Sequence, residues 1–203
     1  MFKLNQPKIL IKLAVAVLLM TSIGAWAQTE TLVVAYTKAG LDLSQYQQFH
    51  LLPLNLSGTR LVPPPWIENP DPHEWGLTQE NKEFLVSAYA SSVRAGIEEA
   101  GQFKVVNEPS AGTLQLEVRL ISLTPWASRL EKDVETLGSG TFTFEAYIRD
   151  ARTGELLTIY QGTQLVGKEY QENTALNKQT SLIEHFTNWG RNISKRLTEA
   201  RAK

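Results

Sequence analysis

Leu114, Leu116, Val118 and Leu120 alternate with Gln115, Glu117 and Arg119. This period of two predicts a β-strand with one face inward and the other in water. Phe142, Phe144, Ala146 and Ile148 repeat the pattern. Residues 156–160, with an extension toward Val166, return as the hairpin partner. Asp150-Ala151-Arg152-Thr153-Gly154 between them predicts a tight turn, because Asp accepts backbone hydrogen bonds and Gly tolerates positive φ. Residues 49–54 and 103–106 read as shorter strands, with Pro53 marking an edge or a strand end. Residues 32–36 read either as a short strand or as part of an N-terminal arm over 28–47.

Two segments change to a helical period. Leu85, Tyr89, Val93 and Ile97 recur every four residues, with Thr78 as the N-terminal cap and Gly101 as the stop. Leu182, Phe186, Trp189, Ile193 and Leu197 form a second apolar stripe, which ends in Lys195, Arg196, Arg201 and Lys203, cations that suit a helix C-terminus. Residues 167–180 read as a polar loop. Each helix has one apolar stripe and each long strand one apolar face. The expected fold is therefore α+β, a two-layer sandwich of a mostly antiparallel sheet, about four to five strands, with two amphipathic helices. The domain is expected over 48–203.

The stretch 57–77 breaks both periods. Five prolines and two tryptophans within it exclude a regular helix or a central strand and predict an ordered loop. Pro64, Pro65, Trp66, His73 and Trp75, with Trp126 beside Pro125, form the candidate binding surface. Rigid prolines lower the entropy lost on binding, and Trp offers contact area with an N–H donor. The same rings also suit closure of the sheet's open end.

The N-terminus adds an address. Lys3, Lys8 and Lys12 precede an apolar run through Ile23, and Ala25-Trp26-Ala27 precedes Gln28. That is the order of a cleavable signal peptide over 1–27, with the cut between Ala27 and Gln28. The alternative is an uncleaved N-terminal anchor, against which Lys12 shortens the apolar run below the roughly 20 residues of a membrane span. The expected mature chain is soluble and periplasmic. It contains no cysteine, so neither a lipid anchor on an N-terminal cysteine nor a disulfide is expected. The signal takes three of 20 basic residues and none of 21 acidic ones, leaving 17 against 21, a formal −4. Mild acidity offers no electrostatic case for nucleic acid or for anionic lipid surfaces.

No chemical motif stands out. His50, His73 and His185 lack zinc-site spacing, Gly-Ser139-Gly precedes a strand rather than a helix, and no phosphate loop or dinucleotide fingerprint occurs. The acidic groups Glu98/Glu99 and Glu131, Asp133, Glu135 read as solvated faces, and Arg149-Asp150 as turn chemistry. No catalytic residue, metal ligand or cofactor is assigned.

Several phrases together carry a resemblance. They are Tyr46-x-x-Phe49 before Leu-Leu-Pro-Leu at 51–54, Trp75 ahead of Leu77-Thr78, AGQFKVV at 100–106, GTLQLEVRLISLTP at 112–125 and FEAYIRDARTGELL at 144–157. Over roughly 46–200 the chain resembles an uncharacterised family of small proteobacterial envelope proteins, many of them lipoproteins. More distantly, its element order is similar to the N-terminal α/β domain of the Tol system's periplasmic propeller protein. The resemblance implies a periplasmic accessory or binding role and no known reaction. The expected function is thus a non-enzymatic module that meets an envelope protein through the Pro/Trp loop or a sheet edge. The alternatives are a carrier or sensor of an apolar or lipidic ligand held between sheet and helices, and a hydrolase with an unrecognised site.

Overall fold

The structure, a computed structural model, describes residues 30–201. The expected signal peptide and its cleavage position at Ala27 and Gln28 lie outside the described residues. The chain runs β1 Thr31–Thr37, β2 Gln48–Leu51, β3 Arg60–Leu61, α1 Gln79–Glu99, β4 Lys104–Val106 and β5 Thr113–Pro125, then β6 Glu135–Leu137, β7 Gly140–Asp150, β8 Leu156–Val166, β9 Tyr170–Glu172 and α2 Ala175–Arg201. No helix among the described residues is long and apolar enough to cross a membrane.

The α+β architecture matches the alternation of periods, and the sheet is larger than the pattern suggested. It holds seven strands in the order β1-β8-β7-β5-β2-β4, with β3 alongside β5. The long strands β1, β8, β7 and β5 pair antiparallel, whereas the short strands β2, β3 and β4 pair parallel, so the sheet is mixed. Segment 32–36 is resolved as strand: Thr31–Thr37 forms the sheet's edge. Residues 48–62 follow the edge of β5 in three steps, namely β2, a bridge from Asn55 to Arg119, and β3. Strand pairing thus reaches into the Pro/Trp stretch, which was expected to be irregular throughout.

The inward positions are those the alternation selects. Leu114, Leu116, Val118, Leu120, Phe142, Phe144, Ala146 and Ile148 are all buried. A bulge between Leu120 and Ser122 shifts the parity of β5, so Leu123 also faces inward. Asp150 forms the hairpin turn, its Oδ1 accepting from the backbone N–H of Arg152 and Thr153 at 3.0 and 2.7 Å. Gly154 completes the turn at φ +73°.

The helices cover one face. Thr78 and Asn81 make a reciprocal capping box at the start of α1, and Leu85, Tyr89, Val93 and Ile97 are buried. Burial of each such side chain contributes about 1.5–3 kcal/mol. From α2, Phe186 and Trp189 meet Phe142 and Phe144, with ring centroids 6.0 and 4.4 Å apart. Tyr89 lies edge-on to Phe186 at 5.7 Å. Its hydroxyl is buried without a hydrogen-bond partner among the described residues, and burial raises its pKa.

α2 starts earlier than its stripe implied. Thr174 accepts from the Asn177 backbone N–H at 3.2 Å, and the helix begins at Ala175 inside the expected loop 167–180. Its first turns are polar, with Leu176 exposed, so the amphipathic signal appears only from Ser181 onward. The small sheet of β6 and β9 also lacked a signal, because each strand is three residues long and mostly polar.

The two helices meet backbone to backbone at Gly96 and Gly190. A Cβ on Gly96 would lie 2.0 Å from the Thr187 carbonyl oxygen, and one on Gly190 would lie 2.3 Å from the Val93 carbonyl oxygen. This contact lies about 22–25 Å along each helix from its first residue. It leaves the N-terminal halves free to part around the end of the sheet.

Candidate functional site

A cavity of about 870 Å³ opens where both helices begin. Its floor is the sheet's end: Leu123 and Pro125 of β5, Gly140 and Phe142 of β7, and Val166 of β8. One wall is the first turns of α1, with Asn81, Phe84 and Leu85, and the other those of α2, with Ala175, Lys178 and Leu182. Trp75, Leu77 and Ala127 complete the lining from the loops. The shape follows from the glycine contact: helices pinned together at one point enclose a wedge toward their free starts.

Asn173 holds the rim of this wedge. The residue is buried, and its side-chain nitrogen donates to the carbonyl oxygens of Ser128, at 2.8 Å, and Glu131. Its backbone N–H donates to the Val134 carbonyl at 2.9 Å. Glu131 accepts in turn from the Ser128 backbone N–H at 2.8 Å. The polar link 127–134 is thereby folded against the start of α2. Lys178 lines the cavity half-buried, and burial lowers its pKa while the charge of Glu131 opposes that shift.

The expected binding residues divide between two places. Trp75 is buried and lines the wedge. Trp66, 52% exposed, lies against half-buried Trp126 with ring centroids 5.6 Å apart. That pair borders a second, more open depression of about 580 Å³, together with Val134, Leu137, Leu165 and Tyr170. Pro64 is buried and its carbonyl closes a turn to Ile67, while Pro65 is exposed. His73 is exposed and uses its backbone, its carbonyl accepting from Arg129 at 2.7 Å. The tryptophans therefore serve both roles open to them: Trp75 closes the sheet's end, and Trp66 with Trp126 forms a surface.

Several of the remaining polar candidates have structural surroundings of their own. His50 Nδ1 lies 3.4 Å from the Val106 carbonyl oxygen. His185 packs among Phe142, Phe186 and Trp189, and burial depresses its pKa to about 4. The Ser139 hydroxyl accepts from Gln171 at 2.9 Å. Glu98 accepts from the Val105 backbone N–H at 3.3 Å, and Glu99 pairs with Arg191 at 2.7 Å. Among the described residues no group of three His, Asp or Glu side chains is placed to hold a metal ion.

Lys178 and Asn173 were missed in the sequence, and Leu182 was read only as part of the helix stripe. The wedge is assembled from the first turns of two helices, the last residues of β5 and β8 and the first residues of β7, so no contiguous motif announces it. Thr174 followed by Ala-Leu-Asn-Lys was the usable signal, a helix start ahead of the apolar stripe.

The chain has matches of low identity among solved structures. The chain is similar to the PelC dodecamer from Paraburkholderia phytofirmans at 12% identity and TM-score 0.40, over 83% of this chain and 97% of that one. It is similar to protein XCC0632 from Xanthomonas campestris, described by the family model DUF330, at 13% identity and TM-score 0.46, over 81% and 90%. No curated protein matches the chain. One family model does, over residues 27–193, nearly the whole length of the folded part. The chain therefore belongs to the DUF3313 family of proteins of unknown function.

Proposed function

We propose that this protein is a non-enzymatic binding module of the bacterial envelope, exported to the periplasm, whose wedge between α1, α2 and the sheet's end takes an apolar or lipidic ligand. The carrying observation is the cavity: about 870 Å³, walled by Trp75, Phe84, Leu85, Phe142 and Leu182. Such a volume and lining fit the general character of small-molecule sites, roughly 300–1,000 Å³ and mostly apolar. The envelope setting is supported by the charged, apolar and A-x-A order of residues 1–27.

Filling the wedge tests this. An environment-sensitive neutral dye such as N-phenyl-1-naphthylamine is expected to bind with enhanced fluorescence, and Leu182→Trp to reduce its affinity by about tenfold, roughly 1.4 kcal/mol. Absence of dye binding, or unchanged binding by a folded Leu182→Trp variant, rejects the reading.

A second reading has its own observation. Every residue of β1 is exposed, no strand among the described residues pairs with its outer edge, and Trp66 and Trp126 present a surface of two tilted rings. We propose that a protein partner of the envelope docks on this surface or adds a strand to this edge. A photo-reactive residue at position 66 in living cells is expected to give a discrete adduct, and one at buried Val118 none. Equal labelling from both positions rejects docking at Trp66.

A further inference from the structure

The wedge is apolar in its depth and polarised at its rim. Glu74, Glu80 and Glu83 come from the approach to α1 and its first turns. Arg129, Lys132 and Lys178 come from the link and from α2. Among these six, Lys178 has a distinct situation. The outer cations and Glu80 and Glu83 are exposed, and Arg129 is already bonded to the His73 carbonyl. Lys178 is half-buried against the apolar lining, and no carboxylate among the described residues lies within ion-pair distance of its amine. Glu131, the acidic group whose charge reaches it, accepts instead from the Ser128 backbone. A cation drawn out of water without a close counterion is costly, and an anion delivered beside it removes that cost.

We infer that the wedge takes a single-chain amphiphile with an anionic head, a carboxylate or a phosphate, the tail lying between α1, α2 and the sheet's end and the head meeting the Lys178 amine. The acidic rim on the α1 side sets the polarity: an anion there is repelled, so the head lies on the α2 side. Arg129 and Lys132 add long-range attraction that salt screens. This inference rests on the cavity reading above and adds the head group to it.

The test uses three probes of equal chain length, namely dodecanoate, dodecyl phosphate and dodecanol, each below its micelle concentration. Binding is read by calorimetry and by displacement of the neutral dye. The folded protein from Gln28 onward is expected to bind both anions at least about tenfold more tightly than the alcohol. Lys178→Met, which keeps the apolar stem, is expected to erase that preference, so that both anions bind no more tightly than dodecanol. Lys178→Glu is expected to reverse it. Raised salt is expected to narrow the preference in the wild type. Dodecanol binding as tightly as the anions overturns the head-group assignment and leaves the cavity reading standing. A preference that survives in Lys178→Met also overturns it, because the anion then answers to another cation. Failure of all three probes and of the dye overturns both readings together. A preference for dodecyl phosphate over dodecanoate, lost in Lys178→Met, supports the inference and identifies the head as phosphate-like.

Discussion

His185 shows how a side chain of polar type is used as an aromatic wedge. Its ring centroid lies 5.6 Å from that of Phe142 and 5.0 Å from that of Trp189, and its Nε2 is buried with no hydrogen-bond partner among the described residues. Burial holds its pKa near 4, Glu30 raising and Lys168 lowering it as smaller influences. An unfolded histidine titrates near 6.5. Between those values the unfolded chain binds a proton that the folded chain refuses, so stability rises with pH across the window and is lost as pH falls from about 6.5 to about 4. The full penalty is about 3 kcal/mol, an upper figure for a ring that retains some exposure. His185→Phe removes the titration while preserving a ring among rings. Urea unfolding at about pH 4.5, 5.5 and 7 is expected to show a shallower fall in stability for the variant, by about 1–3 kcal/mol over that range. Parallel curves for the two proteins would place the acid sensitivity elsewhere, with the carboxylates. The sequence revealed the position of His185 beside the stripe, but the absence of a partner for Nε2 depends on which strand the helix meets.

At the level of elements, the glycine contact decides how α1 and α2 lie. In an ordinary helix interior, Gly→Ala gains about 1 kcal/mol of propensity. Here the added methyl would stand 2.0 Å from the Thr187 carbonyl oxygen at Gly96, or 2.3 Å from the Val93 carbonyl oxygen at Gly190. The obstructing atoms are backbone, so no rotamer change relieves them, and the helices must separate. Gly96→Ala and Gly190→Ala are each expected to lose about 3 kcal/mol or more in urea unfolding. The double variant is expected to lose less than the sum, because a pair already pushed apart accommodates the second methyl. A gain in stability for either single variant would mean that the helices cross elsewhere. What was legible at this scale followed the strength of the local period. The α1 stripe with its Thr78 cap, the alternation of β5 and β7, and the Asp150–Gly154 turn all declared themselves, because local geometry and burial agree there. The early turns of α2, the pair β6 and β9, and the parallel placement of β2, β3 and β4 did not. Their pairing is decided by distant chain, and segments of two to four residues carry too few positions to show a period. The wedge inherits the same difficulty, since every wall is an element's end.

For the molecule as a whole, the N-terminal edge links folding to processing. β1 contributes no buried side chain, yet it pairs along β8 from Thr31 to Thr37. Glu30 fastens its start, accepting from the Leu165 backbone N–H at 3.2 Å and pairing with Lys168 at 3.2 Å. The expected cut between Ala27 and Gln28 falls just before this anchor, so processing there leaves every one of these contacts intact. Cleavage beyond Glu30 would remove the anchor, and beyond Thr37 it would strip the strand and bare the edge of β8, a template for association. The proposed export predicts a mature chain that begins at Gln28, read by intact mass after purification from the periplasm. A chain produced directly from Gln28 is expected to unfold at the same denaturant concentration as the exported one. A chain beginning at Lys38 is expected to unfold earlier and to associate in a concentration-dependent way by light scattering, since it trades a covered β8 edge for an open one. If the Lys38 chain is as stable and as monodisperse as the longer one, β1 is an accessory to the sheet rather than its guard.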